Sequence, residues 1–211
     1  MRPGPQQHPL NRDALIPVPD TDGKRGGDVR GMVFTELLKM AEEALGEDAV
    51  DHVLDTADLP SKGAYTEVGN YSCRELMTLV LGFWDVSGHP PDALQKMFGH
   101  WMFGAFNAKY PSFFADKADA FAMLEAIDGE IHVEVAKLYP DAELPRFEAE
   151  RTESGGIVLH YASPRPLVPF CHGLIEACLD HFGETAEISV MPVPAESGGL
   201  TKADFVIRHA A

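Results

Sequence analysis

Two groups of residues in this chain have types and spacings that could do chemistry. The first is His132, set in Ile131-His132-Val133-Glu134-Val135. Imidazole is the commonest protein ligand to a metal, although a histidine among apolar neighbours also serves as a core residue bonded to a backbone carbonyl. The second is Tyr161-Ala162-Ser163-Pro164-Arg165. On an extended backbone alternate side chains share a face, so Tyr161, Ser163 and Arg165 point the same way within roughly 14 Å of chain. A phenol, a hydroxyl and a guanidinium all donate hydrogen bonds, and arginine adds a fixed charge and a two-pronged fork. Such a trio could clamp a carboxylate or a phosphate; the plainer reading is a strand end facing solvent. Pro164 stiffens the extended segment. A single cofactor carrying a metal and carboxylates would use both groups.

The elements that must position these residues are legible from periodicity. Phe34, Leu37, Leu38, Ala41 and Leu45 fall at helical spacing and stop at Gly46. A short helix carries Val50, Val53 and Leu54, and Pro60 to Asn70 reads as a loop. Ser72 with Glu75 forms a capping box ahead of Leu76, Leu79, Val80 and Phe83. The next helix holds Leu94, Met97, Phe98, Trp101, Met102, Ala105 and Phe106, and Tyr110-Pro111-Ser112 breaks it. A long helix from about Ala118 to Leu138 carries His132, with Gly129 in its middle.

Beyond Pro140 the period shortens. Arg146 to Arg151 and Ile157 to Tyr161 read as strands joined across Ser154-Gly155-Gly156. A helix from about Leu167 to Phe182 follows. Ile188 to Pro194 and Ala203 to His209 meet across Ser197-Gly198-Gly199. Helices followed by strand–strand–helix–strand–strand imply an α+β fold, with an N-terminal helical part packed on a C-terminal four-stranded antiparallel sheet bearing a helix. No internal repeat is present.

Composition narrows the function. Lys and Arg number 17 against 33 Asp and Glu, a formal net charge of −16, which repels phosphate backbones and anionic lipid. Nucleic acid and membrane partners are therefore not expected. The three cysteines, Cys73, Cys171 and Cys178, do not make a disulfide framework. No apolar run is long enough to span a membrane, and a cytoplasmic location is expected. Residues 1–30, rich in proline and glycine, read as a disordered leader or a mis-called translation start.

The sequence resembles the haem-nitric oxide/oxygen-binding (H-NOX) domains from Gly31 to Arg208. The motif Tyr161-x-Ser163-x-Arg165, the segment Ile131-His132-Val133-Glu134-Val135-Ala136-Lys137, Leu144-Pro145-Arg146, Tyr110 to Phe114 and Gly31-Met32-Val33-Phe34 carry the likeness. The resemblance implies a domain over residues 31–209, helical over about 31–140 and sheet over about 145–209, with haem b between the two parts. It implies His132 as the proximal iron ligand, Tyr161, Ser163 and Arg165 as the propionate clamp, and Pro145 as a residue pressing on the porphyrin.

The chain departs from the oxygen-binding pattern. Phe170 stands where those relatives carry a distal tyrosine, and Met102 and Leu37 stand near the places of its asparagine and tryptophan partners. Val33, Met102, Phe103, Phe170 and Leu174 are thus expected to form an apolar distal pocket that favours nitric oxide and carbon monoxide over dioxygen. In the family, nitric oxide weakens the iron–histidine bond and the helical half shifts against the sheet; Gly129, one turn before His132, either makes the helix pliable or merely packs. No kinase, cyclase or phosphate-loop motif appears, so the resemblance implies signalling in trans, to a histidine kinase or a cyclic-di-GMP enzyme. The alternative is a haem-dependent enzyme or a gas carrier acting on nitric oxide. Some relatives bind zinc through cysteines and a histidine; here Cys178 and His181 share one helix, but the C-terminal strands supply no cysteine.

Overall fold

The computed structural model describes residues 27–194 and 199–210. Asp28–Arg30 (β1) pairs antiparallel with Asn70–Ser72 (β2). Neither strand is visible in the periodicity, because three residues carry no pattern of their own. The expected leader boundary at Arg30 is thereby corrected: Val29 is buried and the strand is held by a ladder. The remainder of that leader, residues 1–26, lies outside the described residues.

Gly31–Leu45 (α1) buries Phe34, Leu37 and Ala41 along one stripe. Gly46 ends it at φ 87°, a left-handed backbone that suits glycine, and Glu47–Thr56 (α2) follows. Cys73–Ser87 (α3) starts on Ser72, whose hydroxyl accepts from the Arg74 N–H at 3.2 Å. The capping box is only half made. Glu75 is buried and turns its carboxylate to the Ser61 hydroxyl and to the Tyr65 hydroxyl at 2.7 Å. The 60–70 loop folds over the helix start and offers more donors than one backbone N–H could.

Pro91–Lys109 (α4) is followed by a 3-10 turn at Pro111–Phe113. The expected long helix is three pieces: Ala120–Ala126 (α5), a π-turn at Ile127–Ile131, and His132–Leu138 (α6). The π register shows in the His132 N–H, which bonds the Ile127 carbonyl five residues back.

The sheet comprises Arg146–Arg151 (β3), Ile157–Ser163 (β4), Ala186–Val193 (β5) and Thr201–His209 (β6) in the order β3-β4-β6-β5, every neighbouring pair antiparallel. Val168–His181 (α7) links β4 to β5. The β3–β4 hairpin turns at Gly155, φ 82°. Residues 197–198 of the second expected hairpin turn lie outside the described residues.

Two apolar cores result. One lies among α1 to α4, around Phe34, Leu79 and Met102; the other joins α5 and α7 to the sheet around Phe121, Ile175 and Phe205. Phe106 and Leu174 pack against both. Helices α4 and α7 meet at two glycines. A Cβ on Gly173 would strike the Lys96 carbonyl, and one on Gly99 would lie 2.7 Å from the Leu174 nitrogen. Gly173→Ala is therefore expected to force the helices apart and cost about 1–3 kcal/mol; an unchanged denaturation midpoint would show that the crossing is looser than this.

Candidate functional site

Strand β4 alternates strictly, with Ile157, Leu159, Tyr161 and Ser163 on its buried face. Arg165 continues that face just beyond the strand. Exposure of Tyr161, Ser163 and Arg165 is 5%, 2% and 5%, which excludes a strand end facing solvent. The Ser163 hydroxyl accepts from the Arg165 backbone N–H at 3.1 Å and also lies in hydrogen-bond reach of the Tyr161 hydroxyl. Burial pushes the Tyr161 phenol well above its usual range, so it keeps its proton at neutral pH. The Arg165 guanidinium donates through Nε and Nη2 to the Asp28 carbonyl at 3.1 and 2.6 Å, and Nη2 meets Glu143 at 3.3 Å. Its Nη1 makes no hydrogen bond to protein among the described residues. Arg165 thus ties β1 to the sheet side and keeps donor capacity in reserve.

Cys73 and Cys171 are buried beside the trio. Burial raises both thiols, Cys73 to about 12, and keeps them protonated.

His132 opens α6. Its Nδ1 lies 3.1 Å from Asp128 Oδ1, one turn back through the π-turn, and its ring is also hydrogen-bonded to the Pro145 carbonyl. Burial lowers the imidazole's pKa against the opposing pull of Asp128. The ring is therefore neutral at pH 7, the form that ligates a metal. A carboxylate behind a histidine also fixes its orientation and raises its basicity. The same Asp128 oxygen accepts from the Phe147 N–H at 3.4 Å.

The structure brings His132, Pro145 and the trio into one neighbourhood through Phe147. The Phe147 ring centroid lies 5.7 Å from His132 and 5.5 Å from Tyr161. A porphyrin placed between His132 and the trio would require that ring to move aside.

The residues expected to form the distal pocket divide. Val33 and Phe170 line a small apolar cavity of about 10 Å³ with Leu76, Val80, Gln95, Phe98 and Leu167. Met102 is fully buried in the same helical core, and Leu174 sits at the junction of the two cores. Phe103 does not belong with them. It packs on Phe114 and His181, at 5.2 and 5.6 Å, in the sheet-side core. The reason is helical phase: Met102 and Phe106 are four apart and share a face of α4, whereas Phe103 is rotated about 100° from Met102. Phe106 packs against both cores. Asp128, Phe147, Gln95 and Leu167 were also missed. The i,i+4 spacing of Asp128 and His132, and the 95-98-102-106 stripe on α4, were the available signals.

Cys178 and His181 diverge: the Cys178 thiol faces the Ala120 carbonyl, while His181 packs among Phe103, Phe114 and Phe182.

The family profile described as Haem-NO-binding matches residues 30–190. The chain belongs to the H-NOX family. The unliganded Fe(II) H-NOX protein from K. algicida is 32% identical, covering 87% of this chain and 97% of that one, with a TM-score of 0.78. The IWP-051-bound H-NOX from Shewanella woodyi in the Fe(II)CO state is 37% identical over 86% of this chain and 95% of that one, TM-score 0.71. An H-NOX protein from S. oneidensis in the Fe(II)NO state shares the fold at 23% identity, over 87% of this chain and all of that one, TM-score 0.76. No curated protein matched the chain. The α+β architecture of this H-NOX domain is the one expected from its sequence. Among its described residues no helix is long and apolar enough to cross a membrane.

One position in the H-NOX domain bears on its mechanics. A Cβ added to Gly129 would meet nothing within 4 Å and the residue has no positive φ, so it is not a packing glycine. Gly129→Ala is expected to raise stability by about 0.4–1 kcal/mol by restricting the unfolded chain. Destabilisation on thermal or denaturant unfolding would refute that reading of the π-turn.

Proposed function

We propose that this H-NOX domain is a cytoplasmic haem-based gas sensor that binds nitric oxide and carbon monoxide at ferrous haem b, with His132 ligating the iron and Tyr161, Ser163 and Arg165 holding the propionates. The observation that carries this reading is the placing of a carboxylate-backed imidazole, across the Phe147 ring, from three buried donors, one of them a guanidinium whose Nη1 makes no protein hydrogen bond among the described residues. Buried donors of this kind suit an anionic partner brought in from solvent, because the one carboxylate beside the buried guanidinium, Glu143, is 59% exposed and offsets its charge only weakly. When bound, haem would supply a ferrous iron able to take up diatomic gases. His132 would hold that iron, with Asp128 and the Pro145 carbonyl fixing its ring. The trio gives charge and direction to the carboxylate arms. Support also comes from relatives studied in Fe(II)NO and Fe(II)CO states. These groups bind and orient rather than form a nucleophile–base pair, so the domain is read as a sensor and not an enzyme.

The signal passes in trans to a histidine kinase or a cyclic-di-GMP enzyme. The test is the absorption spectrum of ferrous protein expressed with haem supplied, alone and then under nitric oxide, carbon monoxide and air. A Soret band that shifts with each of the first two gases is expected. A colourless protein would end the proposal.

A further inference from the structure

The π-turn that leads into His132 is tethered through two carboxylates. Asp128 accepts from the Phe147 N–H of β3 at 3.4 Å and meets His132 Nδ1 at 3.1 Å. Glu130 accepts from Lys117 Nζ at 2.6 Å. Lys117 follows the 3-10 turn, and its own loop fixes it. Its side chain is 11% exposed, its backbone N–H bonds the Phe114 carbonyl at 3.2 Å, and its ammonium also meets Asp116 at 3.3 Å. Between the two carboxylates, a Cβ on Gly129 would meet nothing within 4 Å. An open groove of about 290 Å³ lies there, lined by Phe113, Lys117, Ile131 and Val133 among others. Among the described residues, the Lys117–Glu130 pair is the one hydrogen bond that joins the loop after the 3-10 turn to the π-turn.

We infer that Lys117 is a positioning residue of the proximal side: by anchoring Glu130 it holds the π-turn in the register that directs His132 toward Phe147 and the trio. The i→i+5 register is rare and occurs mostly as a single turn inside an α-helix. Successive α-helical residues are rotated by about 100°. Return of residues 127–131 to the i→i+4 register would therefore swing α6, His132 included, by about that angle relative to α5. The ring would leave Phe147, whose centroid it now faces at 5.7 Å. Packing at Gly129 does not oppose this change, so the tethers on either side of it must. The ion pair adds little to overall stability, because Glu130 is 65% exposed and screened by water. Its effect falls on the register of one turn and, through it, on the direction of one imidazole. The inference rests on the proposed haem reading and deepens it, since it names what aims the iron ligand.

The experiment compares wild type with Lys117→Met, which keeps an unbranched stem and loses the ammonium, with Glu130→Gln, with the double variant, and with Lys117→Arg, which keeps the charge. Three quantities are read: the iron–histidine stretching frequency of the ferrous haem-loaded proteins, hydrogen exchange of the His132 backbone N–H in the haem-free proteins, and the melting temperature. That N–H closes the π-turn on the Ile127 carbonyl, so its exchange reports the register without haem. Lys117→Met and Glu130→Gln are expected to shift the frequency and to speed the exchange about twofold to fivefold, the range for losing an exposed ion pair. Lys117→Arg is expected to match wild type, and the double variant to equal either single one, because the two residues act as a unit. A frequency unmoved in Lys117→Met overturns the inference, whatever happens to the melting temperature. A shifted frequency with unchanged exchange, or with additive effects in the double variant, shows that the π-turn is not the route and overturns it as well. Wild type without a Soret band sinks the haem reading and this inference together, whereas a normal Soret band with all variants like wild type sinks this inference alone. Should Lys117→Met not fold, Glu130→Gln carries the same comparison.

Discussion

His132→Gly is expected to abolish the ferrous five-coordinate spectrum, and imidazole added to the solution is expected to restore it. The expectation follows from what surrounds the ring. Asp128 holds Nδ1 at 3.1 Å from a position four residues earlier, and the Pro145 carbonyl bonds the ring as well. Both anchors come from backbone or neighbouring turns that the substitution leaves in place. A free imidazole therefore finds a slot of the right shape with its orienting partners already set. The carboxylate behind the ring deserves its own measurement: Asp128→Asn is expected to lower haem retention about 10–100-fold while leaving the ligand in place, the usual range for a group that orients a metal ligand. Loss of the spectrum without rescue would mean that another side chain holds the iron. An unaltered spectrum in His132→Gly would mean the same and would also detach Asp128 from the site.

The second large effect is at Arg165. Arg165→Ala is expected to weaken haem retention roughly tenfold to a hundredfold, the equivalent of about 1.5–3 kcal/mol for one charge-assisted hydrogen bond. Haem transfer to an apo-globin acceptor measures it. The substitution has a second consequence in the haem-free protein. Two of the guanidinium's donors go to the Asp28 carbonyl, at 3.1 and 2.6 Å, so β1 loses its tie to the sheet side. The contact with Glu143 contributes little, since that carboxylate is 59% exposed and screened by water. Arg165→Lys separates the two roles: it keeps a charge for a carboxylate but lacks the planar fork that spans Asp28. Retention intermediate between wild type and Arg165→Ala is expected for it. Equal retention in all three proteins would show that this guanidinium serves only the N-terminal strand.

Much of this molecule is written in local pattern. The stripes on α1, α3, α4 and α7 are apolar at 3.6-residue spacing, and the strands β3 and β4 flank a turn whose glycine needs a positive φ. The alternation of Tyr161, Ser163 and Arg165 put three donors on one face before any partner was known, because a two-residue period leaves no other choice. Helical phase likewise separates Phe103 from Met102, although reading the hydrophobic residues of α4 as one set obscured it.

Local pattern is silent wherever a residue's role depends on something distant in the chain. Asp28–Arg30 is too short to announce itself, and it is a strand because Asn70–Ser72 and Arg165 come to meet it. Glu75 has the spacing of a capping residue, yet the 60–70 loop outbids the helix end for its carboxylate. Phe147 is one apolar residue of an ordinary strand until the fold stands it between His132 and Tyr161. Gln95 reads as a polar helix residue that would face water, and the packing of α1, α3 and α7 around α4 encloses it instead. Periodicity encodes which face of an element is apolar, because that depends on neighbours three or four residues away; which element covers that face, and which polar group is caught beneath it, is settled only when chain segments some seventy to a hundred and forty residues apart come into contact.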